Sequence, residues 1–298
     1  MTKDIIKEYG DVLHDPSYIT DTKLSVIPVS PKIDIALGGG VPEGSLFIMT
    51  GPEKVGKTVT ALTFCANCQD IQRKVYYGNI EGRLRKRDLE GIVGLSMEPS
   101  DLEIIGSTQG NILSAEKYLG IFDNLIHTQP DCICVVDSFS ALSSDSELTG
   151  DITDNQVMSV QKVLAKFCRR ISNVLPINKV TVVGITHLMA NVSSFGRGRT
   201  KVEKSGSALK YQVDVKLHAT HSPPIMQGDT QIGQPVHLQV VTSAIGAPGQ
   251  KVSSHIKYGR GIWKEMELAD LLVDSVLFKK AELGSSFPTK KRFRERTM

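Results

Sequence analysis

Several classes of protein are excluded by what this 298-residue chain lacks. Aromatic residues are 6% of it, with one tryptophan. No apolar run approaches the roughly 20 residues that a membrane-spanning helix needs. The N-terminal stretch MTKDIIKEYGD alternates charged and apolar residues and holds no signal-peptide core. Together these point to an intracellular, cytoplasmic protein with no membrane partner. Five cysteines are present, and no histidine or second CxxC completes a zinc site around them. Cys65 and Cys68, spaced CxxC on one helical face, read as a pair of small buried residues. There is no internal repeat and no long low-complexity segment. The net charge of +3 is too small to name a partner.

What is present begins with Gly51–Thr58, GPEKVGKT, which fits Gly, four residues, Gly-Lys-Thr. Apolar Leu46–Met49 precedes it and Thr60–Phe64 follows, so the order is strand, turn, helix, the context of a phosphate-binding loop. A turn with glycine at both ends can aim successive N–H groups inward as an anion nest. The helix start near Gly56 adds its unsatisfied donors. The nucleotide-binding set is therefore Gly51, Pro52, Glu53, Lys54, Val55, Gly56, Lys57, Thr58 and Val59, with Lys57 for the β- and γ-phosphates. Thr58 is placed on Mg²⁺.

Along the chain, residues 1 to about 30 look appended, and Ser30–Leu37 is a helix stopped by Gly38–Gly40. Strands are expected at 74–80, 102–106, 131–137 and 180–186, with helices at 115–126 and 157–175 between them. Strands alternating with helices give an α/β fold with a mainly parallel sheet. From Val213 the pattern changes to strands with short turns at 213–217, 236–241 and 252–256, an antiparallel extension. A last helix, 266–276, precedes a basic tail.

Three polar residues end apolar strands, at the edge where ligands bind in such sheets. Asp137 closes DCICVVD and suits a second Mg²⁺ group held through the ion's water shell. Glu81 ends strand 74–80; it either orients or deprotonates an attacking water, or is a surface glutamate. His187 ends strand 180–186, either to sense a γ-phosphate or as a satisfied strand-end histidine. Beyond it, Ser193–Lys210 carries Arg197, Arg199, Lys201, Lys204 and Lys210 against Glu203, with Phe195 and three glycines. That composition suits a loop that tracks a nucleic-acid backbone and stacks on bases, or a solvated mobile loop. The tail 279–298 is likewise a basic arm, for nucleic acid or for solubility.

Taken in order, these residues resemble the RecA recombinase family and, in places, its phage UvsX-type members. The segments are IDIALGGGVPEG, GPEKVGKT, Glu81, CVVDSFSAL, SELTGDITDNQ, GITH, SGSALKY with VKL, YGRGI and ELADLLV. The resemblance spans about residues 25–283. It implies a RecA-like P-loop ATPase core at 31–262, an N-terminal oligomerisation segment at 1–30, and a short C-terminal helix with a basic tail at 263–298. It implies ATP and Mg²⁺ as ligands, with Lys57, Glu81 and His187 as catalytic residues and Thr58 and Asp137 as metal ligands. Gly150–Gln156 and Met189–Gly206 become DNA loops. The implied function is a DNA-dependent ATPase that coats single-stranded DNA as a helical filament and pairs it with double-stranded DNA in recombination and repair. Alternatives are an ATP-switched DNA-binding filament with little hydrolysis and a hexameric, helicase-like motor. Two departures stand out. Thr242, Ser243 and Ala244 occupy the stretch where the family presents cations to a neighbour's ATP, and Arg83–Arg87 replaces an acidic and aromatic pattern.

Overall fold

Strands too apolar to leave either face in water make the centre of the molecule. The computed structural model describes residues 10–12, 14–21, 23–150, 159–190, 201–203, 209 and 212–282. In chain order the strands are β1 (Val26–Ile27), β2 (Val41–Pro42), β3 (Leu46–Gly51), β4 (Val75–Asn79), β5 (Leu102–Ile105), β6 (Ile133–Asp137), β7 (Thr181–Ala190), β8 (Lys201–Glu203), β9 (Val215–Thr220), β10 (Ile225–Gln227), β11 (Thr230–Thr242), β12 (Lys251–Lys257) and β13 (Gly261–Ile262). The helices are α1 (Ser17–Thr20), α2 (Pro31–Leu37), α3 (Lys57–Asp70), α4 (Lys86–Glu90), α5 (Ala115–Thr128), α6 (Asp145–Thr149), α7 (Ser159–Ile171), α8 (Val174–Asn178) and α9 (Lys264–Glu282).

The main sheet runs β13-β12-β11-β9-β3-β7-β6-β4-β5, with β10 on β11 and β8 on β7. From β9 to β5 every neighbour is parallel; β11, β12 and β13 add antiparallel pairs. This is the mainly parallel sheet with an antiparallel extension that the sequence predicts. Alternate residues of one strand feed opposite cores, as the period of two requires. Phe47, Met49, Val135, Val183 and Ile185 join α2 and α3 on one face. Leu46, Ile48, Cys134, Val136 and Val182 join α5, α7 and α8 on the other. All five cysteines are free and buried, as expected for the pair in α3.

Differences from the expected elements have local causes. The helix expected over 157–175 is α7 followed by a separate α8. Pro176 has no N–H to continue an existing ladder. The strand expected from Asp131 starts at Ile133, because Asp131 takes φ +59. β7 runs on to Ala190 because β8 pairs with its end, Leu188 opposite Glu203 and Ala190 opposite Lys201. The last helix is longer than expected, Lys264–Glu282.

Its anchor is Glu267, which is fully buried and accepts from Ser30 Oγ (3.0 Å), Lys32 N (3.0 Å) and Ser254 Oγ. Three donors satisfy a carboxylate that would be costly to bury alone. Ile27 and Val29 are also fully buried. Among the described residues, no helix is long and apolar enough to cross a membrane.

Candidate nucleotide site

The site is assembled by strand register. β7 lies between β3 and β6, and its His187 stands directly opposite Gly51. On the far side of β6, Asn79 of β4 stands opposite Asp137, two residues before Glu81. The N–H groups of Ile80 and Glu81 donate to Asp137 O at 2.9 and 3.3 Å, which fastens the two strand ends together. The Asp137–Ser138 peptide is cis.

Between β3 and α3, residues 52–56 form the loop. Gly56 has φ +92, which L side chains rarely adopt, and a Cβ there would meet Ile256 Cδ1 at 2.3 Å. Lys57 is buried beneath the loop, and its Nζ donates to Gly51 O at 3.0 Å and to Pro52 O. Burial lowers this amine to about 8, against the pull of Asp137, Glu81 and Glu53. Such a cation, held on loop carbonyls at the base of an N–H-rich turn, is matched to a phosphate that would replace those carbonyls.

Thr58 Oγ1 donates to Asp137 Oδ2 at 3.0 Å, and Tyr77 OH donates to the same oxygen at 2.6 Å. Burial raises the Asp137 carboxyl above its ordinary value, and these two hydrogen bonds lower it only in part. A hydroxyl beside a carboxylate short of positive charge fits Mg²⁺, a hard cation that takes one or two protein oxygens and otherwise water and phosphate. Among the described residues, no group of three or more His, Cys, Asp or Glu could hold a metal by itself.

Glu81 Oε1 accepts from Ser138 Oγ and faces His187 Nε2, both at 2.7 Å. The His187 contact is the largest cause that brings Glu81 down to about 2, with Ser138 and Arg83 assisting and burial opposing. The His187 backbone N–H donates to Ser140 Oγ at 2.8 Å. A cleft of about 810 Å³ opens beside these groups. Its walls are Arg83, Leu84, Arg87, Asp88, Gly91 and Ile92 on one side and Ile256–Gly259 with Gly261 on the other, with Thr58 and Asp137 at its base.

The RecA N-terminal domain family matches residues 3–263 of this chain. The chain belongs to the RecA family. It is similar to Protein RecA of Lactobacillus johnsonii, at 31% identity with 88% of this chain and 71% of that one covered. It is also similar to Protein RecA of Wolinella succinogenes (29%, covering 90% and 74%) and of Sulfurimonas denitrificans (28%, covering 83% and 69%).

In this RecA-family chain, Thr58, Asp137, Glu81 and His187 converge within one network, and Lys57 lies under the same loop. The loop residues Pro52, Glu53, Lys54 and Val55 and the helix residue Val59 complete the turn around it. Of the residues expected to bind DNA, Lys201 lies on β8. Phe195, Arg197, Arg199, Lys204 and Lys210 lie outside the described residues, as do 151–156 of the first expected DNA loop and the tail beyond Glu282.

Sequence reasoning did not find Tyr77, Ser138 and Ser140, which hold the carboxylates and the histidine. Their one signal was position, beside residues already singled out. Nor did it find the wall 256–261, although YGRGI marked it. The segment Arg83–Arg87, singled out as altered, leads into the opposite wall. Ser243, on the stretch without cations, donates to Leu37 O at 3.2 Å within its own chain.

Proposed function

We propose that this protein is an ATP-dependent recombinase that binds single-stranded DNA as a helical filament and promotes pairing with a homologous duplex in recombination and repair. The carrying observation is the chain Thr58–Asp137 and Ser138–Glu81–His187, together with β7, which runs from His187 into the β7–β8 hairpin around the expected DNA loop. The relatives' name, Protein RecA, supports the same reading. In this reading residues 1–30 serve assembly with the neighbour, 31–262 are the ATPase core, and 263–298 are a short C-terminal helix with a basic tail.

ATP bound with Mg²⁺ supplies the transferable phosphoryl group. Lys57 would exchange the carbonyls of Gly51 and Pro52 for phosphate oxygens, and Thr58 and Asp137 would hold the metal. Glu81, at about 2, is ionised at neutral pH and too weak a base to remove a proton from water unaided. Its role is therefore to orient the attacking water, while His187 carries the loss of the γ-phosphate to β7.

ATPase activity measured with and without single-stranded DNA, and DNA binding with and without ATP, test this reading. DNA binding that ignores nucleotide would overturn it. Lys57→Ala should abolish ATP-dependent DNA binding. A second reading, an ATP-switched filament with little turnover, is favoured by Ser243, held to Leu37 where a cation would be needed. It is the better account if ATP-dependent filaments form while hydrolysis stays at background.

A further inference from the structure

One cation on the cleft wall has no part in that reading. Gly82, at φ +63, turns the chain after β4 and directs Arg83 back toward the site. Arg83 Nη1 lies 3.8 Å from Glu81 Oε2, the oxygen not taken by Ser138 and His187. The Arg83 side chain is 77% exposed, so water weakens this pair and the guanidinium is free to move. Among the described residues, the other cations on the cleft wall are Arg87 and Lys257. Arg87 Nε faces Asp88 at 3.6 Å, and Lys257 Nζ sits 4.4 Å above the Trp263 ring. Arg83 is the one whose charge is aimed at the water-orienting carboxylate.

Three carboxylates, Glu81, Asp88 and Asp137, already line this cleft, and a triphosphate adds more negative charge. Lys57 is held under the loop on the carbonyls of Gly51 and Pro52 and does not line the cleft. We propose that Arg83 is a catalytic residue acting within its own subunit, moving from Glu81 onto the γ-phosphoryl oxygens during hydrolysis. The proposal rests on the ATP-hydrolysing reading above. In the step, a bond forms from the water oxygen to the γ-phosphorus as the bond to the β–γ bridging oxygen breaks. The electron pair leaves with ADP, the water's proton passes to phosphate or solvent, and Arg83 offsets charge on the equatorial oxygens. The fork of a guanidinium suits two such oxygens at once, which an ammonium does not.

Purified full-length Arg83→Ala and Arg83→Lys are compared with the parent at saturating single-stranded DNA, with titrated ATP and Mg²⁺. Arg83→Ala should lower kcat about 100-fold, leave KM and fluorescent-ATP affinity within about threefold, and leave the melting temperature in place. Arg83→Lys should recover part of the turnover. Lys57→Ala, which should lose nucleotide affinity, separates a failure of the nucleotide site from a failure of Arg83. An equimolar mixture of Arg83→Ala and Lys57→Ala subunits should stay inactive, because neither subunit holds both groups. Recovery in the mixture would show Arg83 serving a neighbour and overturn the proposal. A kcat for Arg83→Ala within twofold of the parent, or a loss confined to KM, would also overturn it. A parent that binds ATP without turning it over would overturn the hydrolytic reading and this proposal together.

Discussion

The two halves of the main sheet divide the work of the site. In the parallel half, β3, β4 and β6 are buried along nearly their whole length, with helices on both faces. In the antiparallel half, β11 alternates between buried and exposed positions and presents one face to the core. Glu81, Asp137 and His187 sit at or near the carboxyl ends of the apolar runs of β4, β6 and β7, and there they form the reacting constellation. The antiparallel half supplies a support and a wall. Gln234 Nε2 of β11 donates to Lys54 O of the phosphate loop at 3.1 Å, Ile256 of β12 packs at Gly56, and 256–261 closes the cleft. Chemistry thus lies on the half that is buried on both faces and so cannot shift register cheaply.

The largest break in this contrast should come from Phe122 of α5, fully buried against the parallel half, with its ring at Gly78. Phe122→Ala should cost about 3–5 kcal/mol in chemical denaturation. Val241→Ala on β11, 45% exposed, should stay within about 0.5 kcal/mol. Equal losses at the two positions would remove the distinction.

Next in size is Gly184 of β7, where an added Cβ would lie 2.3 Å from Phe139 Cε2 and 2.6 Å from Ile48 Cδ1. Gly184→Ala should cost about 1–3 kcal/mol through overpacking. Phe139 adjoins Ser138 and Ser140, which hold Glu81 and His187. Turnover should therefore fall further than stability does, and ATPase rates beside melting curves would show whether the two separate.

A smaller effect is expected on the cover of the antiparallel half. Asp34 in α2 accepts from Val29 N at 2.7 Å. Burial, opposed by the Val29 and Ser30 backbone hydrogen bonds, raises it from an ordinary 3.8 to about 6. Between those values the folded chain keeps a proton that the unfolded chain has released. Its contribution therefore falls as pH rises from about 3.8 through about 6, and does not return above that. Asp34→Asn should flatten this slope, and denaturation midpoints at pH 4, 5, 6 and 7 measure it.

The smallest expected change is at Gln234. Gln234→Ala removes one exposed hydrogen bond to the phosphate loop, worth about 0.5–1.5 kcal/mol. ATP affinity should weaken a few-fold with kcat unchanged. A fall in kcat instead would place β11 within the chemistry and blur the division.

What could be read from the chain alone follows its periodicities. GPEKVGKT after an apolar strand, and Glu81, Asp137 and His187 following apolar runs, need only local backbone geometry and burial to be interpreted. The parallel sheet and its antiparallel extension were legible for the same reason. Contacts between segments distant in sequence were not. Nothing local to Tyr77 says that its hydroxyl meets Asp137 60 residues later. Nothing in Arg83 says whether it faces solvent or Glu81. Strand order brought His187 opposite Gly51 and Glu81 against His187 and Ser138, and packing of β11 and β12 on the loop left room at residue 56 for glycine alone. Local propensity specifies which elements form and which polar residue stands near the end of each apolar run. Only burial of both sheet faces, which fixes the strands' order and register, decides which of those ends meet.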